Sequence, residues 1–342
     1  MVKYDIFTIL HPPYFKFLEE HLKSLSSALT NSNTRLFIFS SQTNYKETKN
    51  LESILKKTDL DISLETTEDK VSIGESRNAI FRKGDKPWAI FLDADIIVNG
   101  DYFSNLERCT EKYGTFASGF AGGIGASNCS KWGLLESAMD LRVYLRNLVV
   151  SDEEFYKIMK EISFENLRID NLKRFYSETK AKLMGYEGKQ IRAFQGFNQI
   201  VKKEDLDEVG GFDEKFWSAE DRELGVRFLR KNKKIIFTPS IWAEHNYEFK
   251  LQDILKRKRI HGWWYGELRR KYPDEKSLIM KKSRWLKNFI RFINPPEPFR
   301  GINGRIYYLS SFLSYAIPAI LSEKYSINPM RKKGGWAYDR DK

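Results

Sequence analysis

Short apolar runs alternate with amphipathic stretches along the first 120 residues of the chain. The strand-like runs are Asp5–Leu10, Arg35–Phe39, Leu60–Leu64 and Trp88–Leu92. Stretches with helical period lie between them, at Phe15–Leu29, Thr48–Lys57 and Ile73–Arg82. This alternation is typical of βαβ units and predicts an α/β fold, in which helices cover both faces of a mostly parallel sheet. Ligands of such sheets bind beyond the carboxyl ends of the strands.

The middle of the chain is less regular. A strand-like run, Thr115–Phe120, precedes the glycine-rich segment 121–125, which lacks the G-x-G-x-x-G spacing and which we interpret as a flexible turn. Residues 131 to about 185 are charged and helical in period, with Leu134, Leu135, Met139, Val143 and Leu148 on one face, and predict a helical insertion. Short strands return afterwards and end with Lys234–Thr238 and Ile241–Ala243.

Composition indicates a packed globular protein, because 41% of the 342 residues are hydrophobic and 14% are aromatic. The two cysteines, Cys109 and Cys129, exclude a disulfide framework. The segment Met1–Asp5 leads into a strand without the long apolar core of a signal peptide. We therefore expect a cytoplasmic protein.

The net charge of +12 is unevenly distributed. Residues 226–342 hold 27 lysines and arginines against 10 acids, whereas the preceding residues carry a net −5. Such a basic region usually faces a polyanion, either nucleic acid or an anionic membrane surface. Residues 306–322 carry no charge but contain Pro318 and four serines, so we expect an interfacial or buried helix rather than a membrane span. The chain thus divides into a domain at 1–250 and a basic, aromatic, helical region at 251–342.

Two acids, Asp93 and Asp95, follow the apolar run Trp88–Leu92. The pleat of a strand sends successive side chains to opposite faces, so we expect both carboxylates on one side and Ala94 on the other. Two carboxylates at one strand end repel each other unless a cation joins them, and oxygen ligands of this kind suit Mg²⁺ or Mn²⁺ carrying a diphosphate. A bare Asp-x-Asp is more often a solvated turn, so the neighbouring motifs decide between the two interpretations.

Four segments occur together in one order: Gly74–Ala79, Leu92–Asp95, Gly210–Glu214 with Ser218–Asp221, and Trp242–His245. Through these four segments and their order, the chain resembles the inverting glycosyltransferases of the GT-A fold, in particular glycosyltransferase family 2. The resemblance covers roughly residues 4–250 and implies a GT-A type, Rossmann-like sheet. It also implies transfer of a sugar from a UDP- or GDP-linked donor to a hydroxyl of a glycan or lipid-linked acceptor, with inversion and with Mn²⁺ or Mg²⁺ as cofactor.

The resemblance also implies roles for individual residues. The metal would be held by Asp95, with Asp93 and His245 as further ligands, and the nucleotide sugar would be bound by Arg77, Asn78, Asp93, Phe212 and Trp217. Asp221 would be the catalytic base, with Glu220 beside it. Each of these residues also has an ordinary structural explanation, since acids are stabilised at helix N-termini and rings pack in cores.

The chain departs from the family pattern at two places. Ser40–Thr43 stand where an acid that reads the base is common, so the base of the donor stays open. The insertion at 131–185 is long, and its position suggests a role in acceptor recognition. Two other function classes remain: a glycoside hydrolase, which also uses two carboxylates, and a nucleic-acid-binding protein that acts through the basic region. We regard nucleic acid as the less favoured partner of that region. A peripheral position on the inner face of a membrane fits the basic region better.

Overall fold

The computed structural model describes residues 2–29, 34–148, 152–194, 196–275 and 302–325. The chain divides into two compact units, Met1–Glu248 and Phe249–Lys342. The first unit contains the sheet and the residues that the four motifs predict to be functional. The described residues of the second, 249–275 and 302–325, include two long helices.

A nine-stranded sheet forms the centre of the first unit. Its strands are β1 (Tyr4–Leu10), β2 (Arg35–Ser40), β3 (Asp61–Thr66), β4 (Trp88–Leu92), β5 (Ile96–Val98), β6 (Gly119–Cys129), β7 (Gln190–Ile191), β8 (Asn198–Lys202) and β9 (Ile235–Tyr247). The spatial order is β3-β2-β1-β4-β8-β6-β9-β5, with β7 also paired to β9. Strands β1 to β4 are parallel, and β8 runs antiparallel between β4 and β6. Because β9 is parallel to β6, the carboxyl ends of β4, β6 and β9 lie at the same edge of the sheet.

Helices connect and cover these strands. They are α1 (Phe15–Ala28), α2 (Tyr45–Leu55), α3 (Ile73–Phe81), α4 (Tyr102–Tyr113), α5 (Lys131–Leu148), α6 (Asp152–Ile162), α7 (Leu172–Leu183), α8 (Lys203–Glu208) and α9 (Glu220–Arg230), with short 3₁₀ turns at Pro12–Tyr14, Phe164–Asn166, Ile169–Asn171 and Met184–Tyr186. The predicted α/β class is confirmed, and the elements of the first hundred residues agree with the sequence pattern to within a few residues.

The glycine-rich segment 121–125 is a buried part of β6, so the prediction of a flexible turn was wrong. Because its glycines have no side chains, side chains from neighbouring strands pack directly against its backbone. A Cβ at Gly122 would lie 2.2 Å from the Asn198 amide, and one at Gly123 would lie 2.3 Å from the Trp242 ring. Glycine here serves close packing between strands rather than flexibility.

The predicted insertion is helical, as α5, α6 and α7. The buried face of α5 is formed by Leu135, Ala138, Leu141, Tyr144, Leu145 and Leu148. Val143 is 44% exposed, so its assignment to the apolar face was wrong. The true stripe follows the three- and four-residue spacing through Leu141 and Leu145, which leaves Val143 on the opposite side.

His21 on α1 joins helix and sheet inside the core. Its Nδ1 lies 2.6 Å from the carbonyl oxygen of Ile96, and its Nε2 lies 3.1 Å from Oγ1 of Thr8. This pattern suits a neutral ring that donates from Nδ1 and accepts at Nε2. Burial lowers the pKa of His21 to about 4, because the charged ring would lose its hydration.

The second unit pairs α10 (Leu251–Lys271) with α11 (Ile302–Tyr325). The two helix backbones approach closely at two glycines. A Cβ at Gly262 would lie 2.0 Å from the Tyr315 carbonyl oxygen, and one at Gly266 would lie 2.5 Å from that of Ala319. None of the helices within the described ranges is long and apolar enough to cross a membrane.

Candidate active site

The residues of the four motifs meet at the carboxyl edge of the sheet. Asp93 and Asp95 follow β4, while His245 lies near the end of β9, which is parallel to β4. Arg77 comes from α3 and Glu220 from the start of α9. Sheet topology therefore gathers side chains that are up to 168 positions apart in the sequence.

The two aspartates lie in a turn rather than on a continuing strand. β4 ends at Leu92, and the backbone N–H of Ile96 donates to the carbonyl oxygen of Asp93 at 3.1 Å. The pleat argument for a shared strand face therefore does not apply, because the chain turns at Asp93. The turn directs the Asp93 carboxylate to Arg77 and the Asp95 carboxylate to His245.

Arg77 is the central charge of this site and is only 2% exposed. Its Nη2 lies 3.3 Å from Oδ1 of Asp93, and its Nη1 lies 2.9 Å from Oε1 of Glu220. The guanidinium also donates to the Gly196 carbonyl oxygen at 2.5 Å and to Oε1 of Gln199 at 3.3 Å. A planar fork with five donors suits such a site, in which a buried cation joins two carboxylates.

Asn78, the next residue, holds the loop that contains the Gly-Gly-Phe-Asp-Glu motif. Its Nδ2 donates to the Phe212 carbonyl oxygen and to Oε1 of Glu214, each at 2.9 Å, and its Oδ1 accepts from the Phe212 N–H at 2.9 Å. Gly211 has φ +76°, and a Cβ there would lie 2.6 Å from Asn78 Oδ1. Glycine is therefore required at this turn for both conformation and space.

The start of α3 packs directly on the same loop. Ser72 caps the helix by accepting from the Glu75 N–H at 2.9 Å, and its hydroxyl donates to the Glu214 carbonyl oxygen at 2.6 Å. A Cβ at Gly74 would lie 2.3 Å from the carbonyl oxygen of Asp213. The helix that carries Arg77 and the loop that precedes Glu220 are thus packed as one body.

Glu220 and Asp221 open α9 in different environments. The preceding residue, Ala219, has φ +63°, a left-handed conformation that is uncommon for a residue with a Cβ and that is found at functional sites. Glu220 is buried against Arg77, and burial raises the pKa of its carboxyl well above the usual range, against the opposing effect of Arg77. Asp221 is partly exposed, and its Oδ1 accepts from the Arg222 N–H at 2.8 Å.

Asp95 and His245 form a second contact, with 3.4 Å between Oδ2 and Nε2. Both are buried, and the other ring nitrogen of His245 lies 2.9 Å from the Asn246 carbonyl oxygen. Within the described part of the chain, no group of three or more His, Cys, Asp or Glu side chains is arranged to hold a metal ion. Asp95 and His245 are nevertheless an oxygen and a nitrogen donor of the kinds that bind Mn²⁺.

Asp93 lies between these two contacts. Burial raises the pKa of Asp93 to about 6, and the neighbouring Asp95 raises it further, while Arg77 and His245 lower it. About a third of its side chain remains exposed. Asp93 is thus the acid of this turn that keeps access to solvent, whereas Asp95 is enclosed.

Comparisons with known proteins agree with this architecture. No protein-family model matches the chain. The mannosyltransferase PcManGT from Pyrobaculum calidifontis, solved with GDP-Man and Mn²⁺, superimposes with a TM-score of 0.57 over 95% of this chain and 88% of that one, at 11% identity. GalNAc-T7, solved with UDP, GalNAc and Mn²⁺, superimposes with a TM-score of 0.50 over 86% of this chain and 54% of that one, at 13% identity. The chain has the GT-A fold of glycosyltransferases.

In sequence, the chain is similar to a pre-mycofactocin glycosyltransferase of Mycobacterium tuberculosis. The two are 28% identical over 76 residues, which is 22% of this chain and 16% of that protein. The match thus spans about a sixth of the relative's length.

Two aromatic residues that the resemblance assigns to the nucleotide sugar have different surroundings from the charged cluster formed by Arg77, Asp93, Asp95, Glu220 and His245. Phe212 is 2% exposed and packs edge-on against Phe91, with ring centroids 5.1 Å apart. The Arg77 guanidinium lies over the same ring, 5.3 Å from its centroid. Phe212 is therefore a core residue beneath Arg77 rather than a surface for a ligand. Trp217 is partly buried, and Lys70 Nζ lies 5.2 Å from the centroid of its ring.

Gln199 is a site residue that the sequence reasoning missed. It lies on β8 of this GT-A sheet, opposite Phe91 of β4, and is fully buried. Its Oε1 accepts from Arg77, while its Nε2 has no hydrogen-bond partner among the described residues. The sequence does contain a feature that points to Gln199, since the polar pair Asn198–Gln199 begins a strand that continues with Ile200 and Val201. Buried amides in a central strand usually satisfy a specific partner.

Proposed function

We propose that this protein is a metal-dependent glycosyltransferase that moves a sugar from a nucleotide diphosphate to a hydroxyl of a glycan or lipid-linked acceptor, with inversion. The observation that carries the proposal is the Arg77 contact with both Asp93 and Glu220. Through it, three motifs that are distant in sequence converge at the sheet edge of a GT-A fold. The nucleotide sugars and Mn²⁺ named in the structures of similar fold agree with this proposal.

The reaction needs one base and one stabilised leaving group. Asp221 would accept the proton of the acceptor hydroxyl as its oxygen attacks the anomeric carbon. The bond from that carbon to the diphosphate oxygen breaks at the same time, and the nucleoside diphosphate leaves. A single displacement of this kind inverts the configuration.

The environments of the two adjacent acids support these roles. Glu220 is buried and engaged with Arg77, so it is poorly placed to reach an acceptor. Asp221 is partly exposed, and a Cβ at Gly196 would lie 3.5 Å from its Oδ2, so it borders the loop that Arg77 also contacts. We therefore assign Asp221 as the base and Glu220 as the residue that holds Arg77 toward Asp93.

Asp95, Asp93 and His245 would hold the metal ion. A bound Mn²⁺ or Mg²⁺ supplies positive charge to the departing diphosphate. The Asp95–His245 contact provides one carboxylate and one imidazole, and the accessible Asp93 provides a second carboxylate toward the donor. Arg77 and Asn78 position other residues, because Arg77 holds Asp93 and Asn78 holds the loop that contains Phe212. Trp217 stays a candidate for binding the sugar.

Glycoside hydrolysis fits the same carboxylates less well than glycosyl transfer does. A glycosidase needs one carboxyl that stays protonated and can reach the glycosidic oxygen. Burial raises the pKa of Glu220, as such an acid would require, but its carboxylate is 2.9 Å from Arg77 and only 6% exposed. A charged partner at this distance favours the ionised, structural role.

A thermal-shift screen tests the proposal. UDP- and GDP-sugars are added with and without Mn²⁺, and stabilisation is expected for one donor class only when the ion is present. A ligand at a hundred times its Kd stabilises the folded state by about 2.7 kcal/mol. Asp95→Ala should remove the ion-dependent part, while Asp59→Ala, at an exposed loop acid, should not. Equal stabilisation of both proteins without Mn²⁺ would contradict the metal assignment.

We assign residues 1–250 to catalysis and residues 251–342 to an anionic membrane surface. α11 exposes Ile306, Leu313 and Ile317, which are 47%, 43% and 52% accessible and lie at helical spacing on one face. The neighbouring α10 carries the basic run 256–259 and, in its last turn, the exposed Arg270 and Lys271. Apolar residues beside cations are the features of helices that lie in a membrane interface.

Vesicle flotation tests this assignment. The full chain is expected to bind vesicles of phosphatidylcholine containing phosphatidylglycerol, and less strongly at high salt, which screens the cations. Leu313→Asn combined with Ile317→Asn should weaken the binding, whereas Val143→Asn, at an exposed apolar residue of α5, should not. Binding to RNA with no binding to vesicles would favour the nucleic-acid alternative instead.

A further inference from the structure

A cleft of about 470 Å³ lies at the sheet edge outside the charged cluster. The end of β6 (127–129), the segment 169–174 at the start of α7, and Glu248 after β9 form its walls. Its volume falls within the range of small-molecule sites, about 300–1,000 Å³. Segment 169–174 belongs to the helical insertion, so one wall of the cleft comes from the part of the chain whose position suggested a role in acceptor recognition.

Topology places this cleft beside the catalytic residues. In the pairing of β6 with β9, Ala126 lies opposite His245 and Cys129 lies opposite Tyr247. The cleft therefore begins about two residues beyond the proposed metal ligand, on the same two strands. The turn that holds Asp93 and Asp95 reaches the same strand, because the Asn246 N–H on β9 donates to the Asp95 carbonyl oxygen at 2.9 Å. A molecule in the cleft would thus lie a few residues along β9 from Asp95.

The lining of the cleft is polar but balanced in charge. Lys173 and Arg174 contribute two cations, and Asp170 and Glu248 contribute two carboxylates. Part of the cationic charge is already used, because Arg174 Nε donates to Glu178 at 2.8 Å. A phosphorylated or polyanionic ligand would find no excess of positive charge here.

The same lining matches the hydroxyl groups of a sugar. Each hydroxyl donates one hydrogen bond and accepts others, so it needs donors and acceptors side by side. Asn128 and Asn171 provide amides that do both, next to the cations and carboxylates. Ile169, which is 53% exposed, provides an apolar surface of the kind on which the C–H face of a pyranose packs.

We propose that this cleft is the acceptor subsite and that it binds a neutral saccharide. The inference rests on the proposed transferase function and names the substrate class that the function leaves open. Segment 169–174 of the insertion is then the element that selects the acceptor, while the charged residues around Arg77 handle the donor.

Binding of free sugars to the full chain tests this proposal without turnover. Saturation-transfer difference NMR is recorded with methyl glycosides of mannose, glucose and galactose, and with glucuronate and mannose 6-phosphate as anionic probes. The variant is Asp170→Ala combined with Asn171→Ala, at an exposed and a half-buried position of the cleft wall. Lys157→Ala, exposed on α6 outside the cleft, is the matched control.

At least one neutral glycoside is expected to bind the wild type and the control equally. The double variant should bind it about tenfold more weakly, as the loss of one or two hydrogen bonds predicts. Nucleotide-sugar stabilisation should be the same in all three proteins. Undiminished binding by the variant, preference for the anionic probes, or no glycoside binding at all would each overturn the acceptor assignment. A wild type that no nucleotide sugar stabilises would instead refute the transferase function, which separates the two failures.

Discussion

Removal of Arg77 is the sharpest test of the charged cluster. Arg77→Met keeps most of the aliphatic volume and deletes the cation that contacts Glu220 at 2.9 Å and Asp93 at 3.3 Å. The two carboxylates respond differently. Asp93 is 34% exposed, so water screens it, whereas Glu220 is 6% exposed and would stay buried without a partner.

The expected loss of stability follows from that difference. Removing one partner of a buried ion pair typically costs about 3–5 kcal/mol, because the other charge is left uncompensated. For a domain of this size that corresponds to a fall in Tm of roughly 6–20 °C. Arg82→Met is the control, since the Arg82–Glu214 pair at 3.2 Å is 68% and 48% exposed and should contribute no more than about 1 kcal/mol.

A double-mutant cycle with Glu220→Gln separates charge from packing. If the buried carboxylate causes the loss, adding Glu220→Gln to Arg77→Met should recover about 1.5–3 kcal/mol in urea unfolding. The single Arg77→Met protein should also become less stable as pH rises from 6 to 8. Burial already raises the pKa of Glu220, and loss of Arg77, which lowers that pKa, raises it further. The protonated form, which the fold tolerates, is then lost as the pH rises through this range. Additivity of the two substitutions within about 0.5 kcal/mol, or a flat pH profile, would refute the reasoning.

Three further outcomes are expected. Asp221→Asn should retain donor-dependent stabilisation but lower kcat by about 10²- to 10⁴-fold, and Glu220→Gln should lower it less, as measured by release of nucleoside diphosphate; the reverse order would exchange the two roles. The pKa of His21 is lowered to about 4 in the folded chain. Its neutral ring therefore contributes about 3 kcal/mol to the free energy of unfolding above pH 6.5, and this contribution is lost as the pH falls toward 4. Over the same pH range, the free energy of unfolding should fall less in His21→Gln than in the wild type. Gly74→Ala should lower stability by about 1–3 kcal/mol, because its Cβ would lie 2.3 Å from Asp213 O, whereas Gly100→Ala, which has open space, should be nearly neutral on the same thermal scan.

The first half of the fold was predictable because its elements carry their own periodicity. Trp88–Leu92 is an uninterrupted apolar run bounded by Pro87 and Asp93, and β4 has these limits. The same reasoning failed at residues 121–125, because glycine has no side chain to show a period. What decides that segment is the bulk of Trp242 and the Asn198 amide on neighbouring strands, which no local pattern reveals.

The resemblance predicted that Arg77, Asp93, Asp95 and His245 act together, and the structure brings these four residues to one edge of the sheet, while Gln199 was missed. The pleat of β4 predicted that the two aspartates share one strand face, which the structure does not show. The turn that ends β4 directs them to different partners. The sequence likewise offered Phe212 as a ligand contact, while the structure places its ring under Arg77, since the motif serves the packing of the loop.

The adjacent acids Glu220 and Asp221 show why a motif alone does not assign roles. Consecutive residues at a helix start point about 100° apart, so they meet different surroundings. Ala219, with φ +63°, fixes the angle at which α9 leaves the loop. That angle buries Glu220 against Arg77 and leaves Asp221 partly exposed. The left-handed conformation at Ala219 therefore precedes the point at which the two acids part: Glu220 is held against Arg77, and the more accessible Asp221 is the acid that we propose as the base.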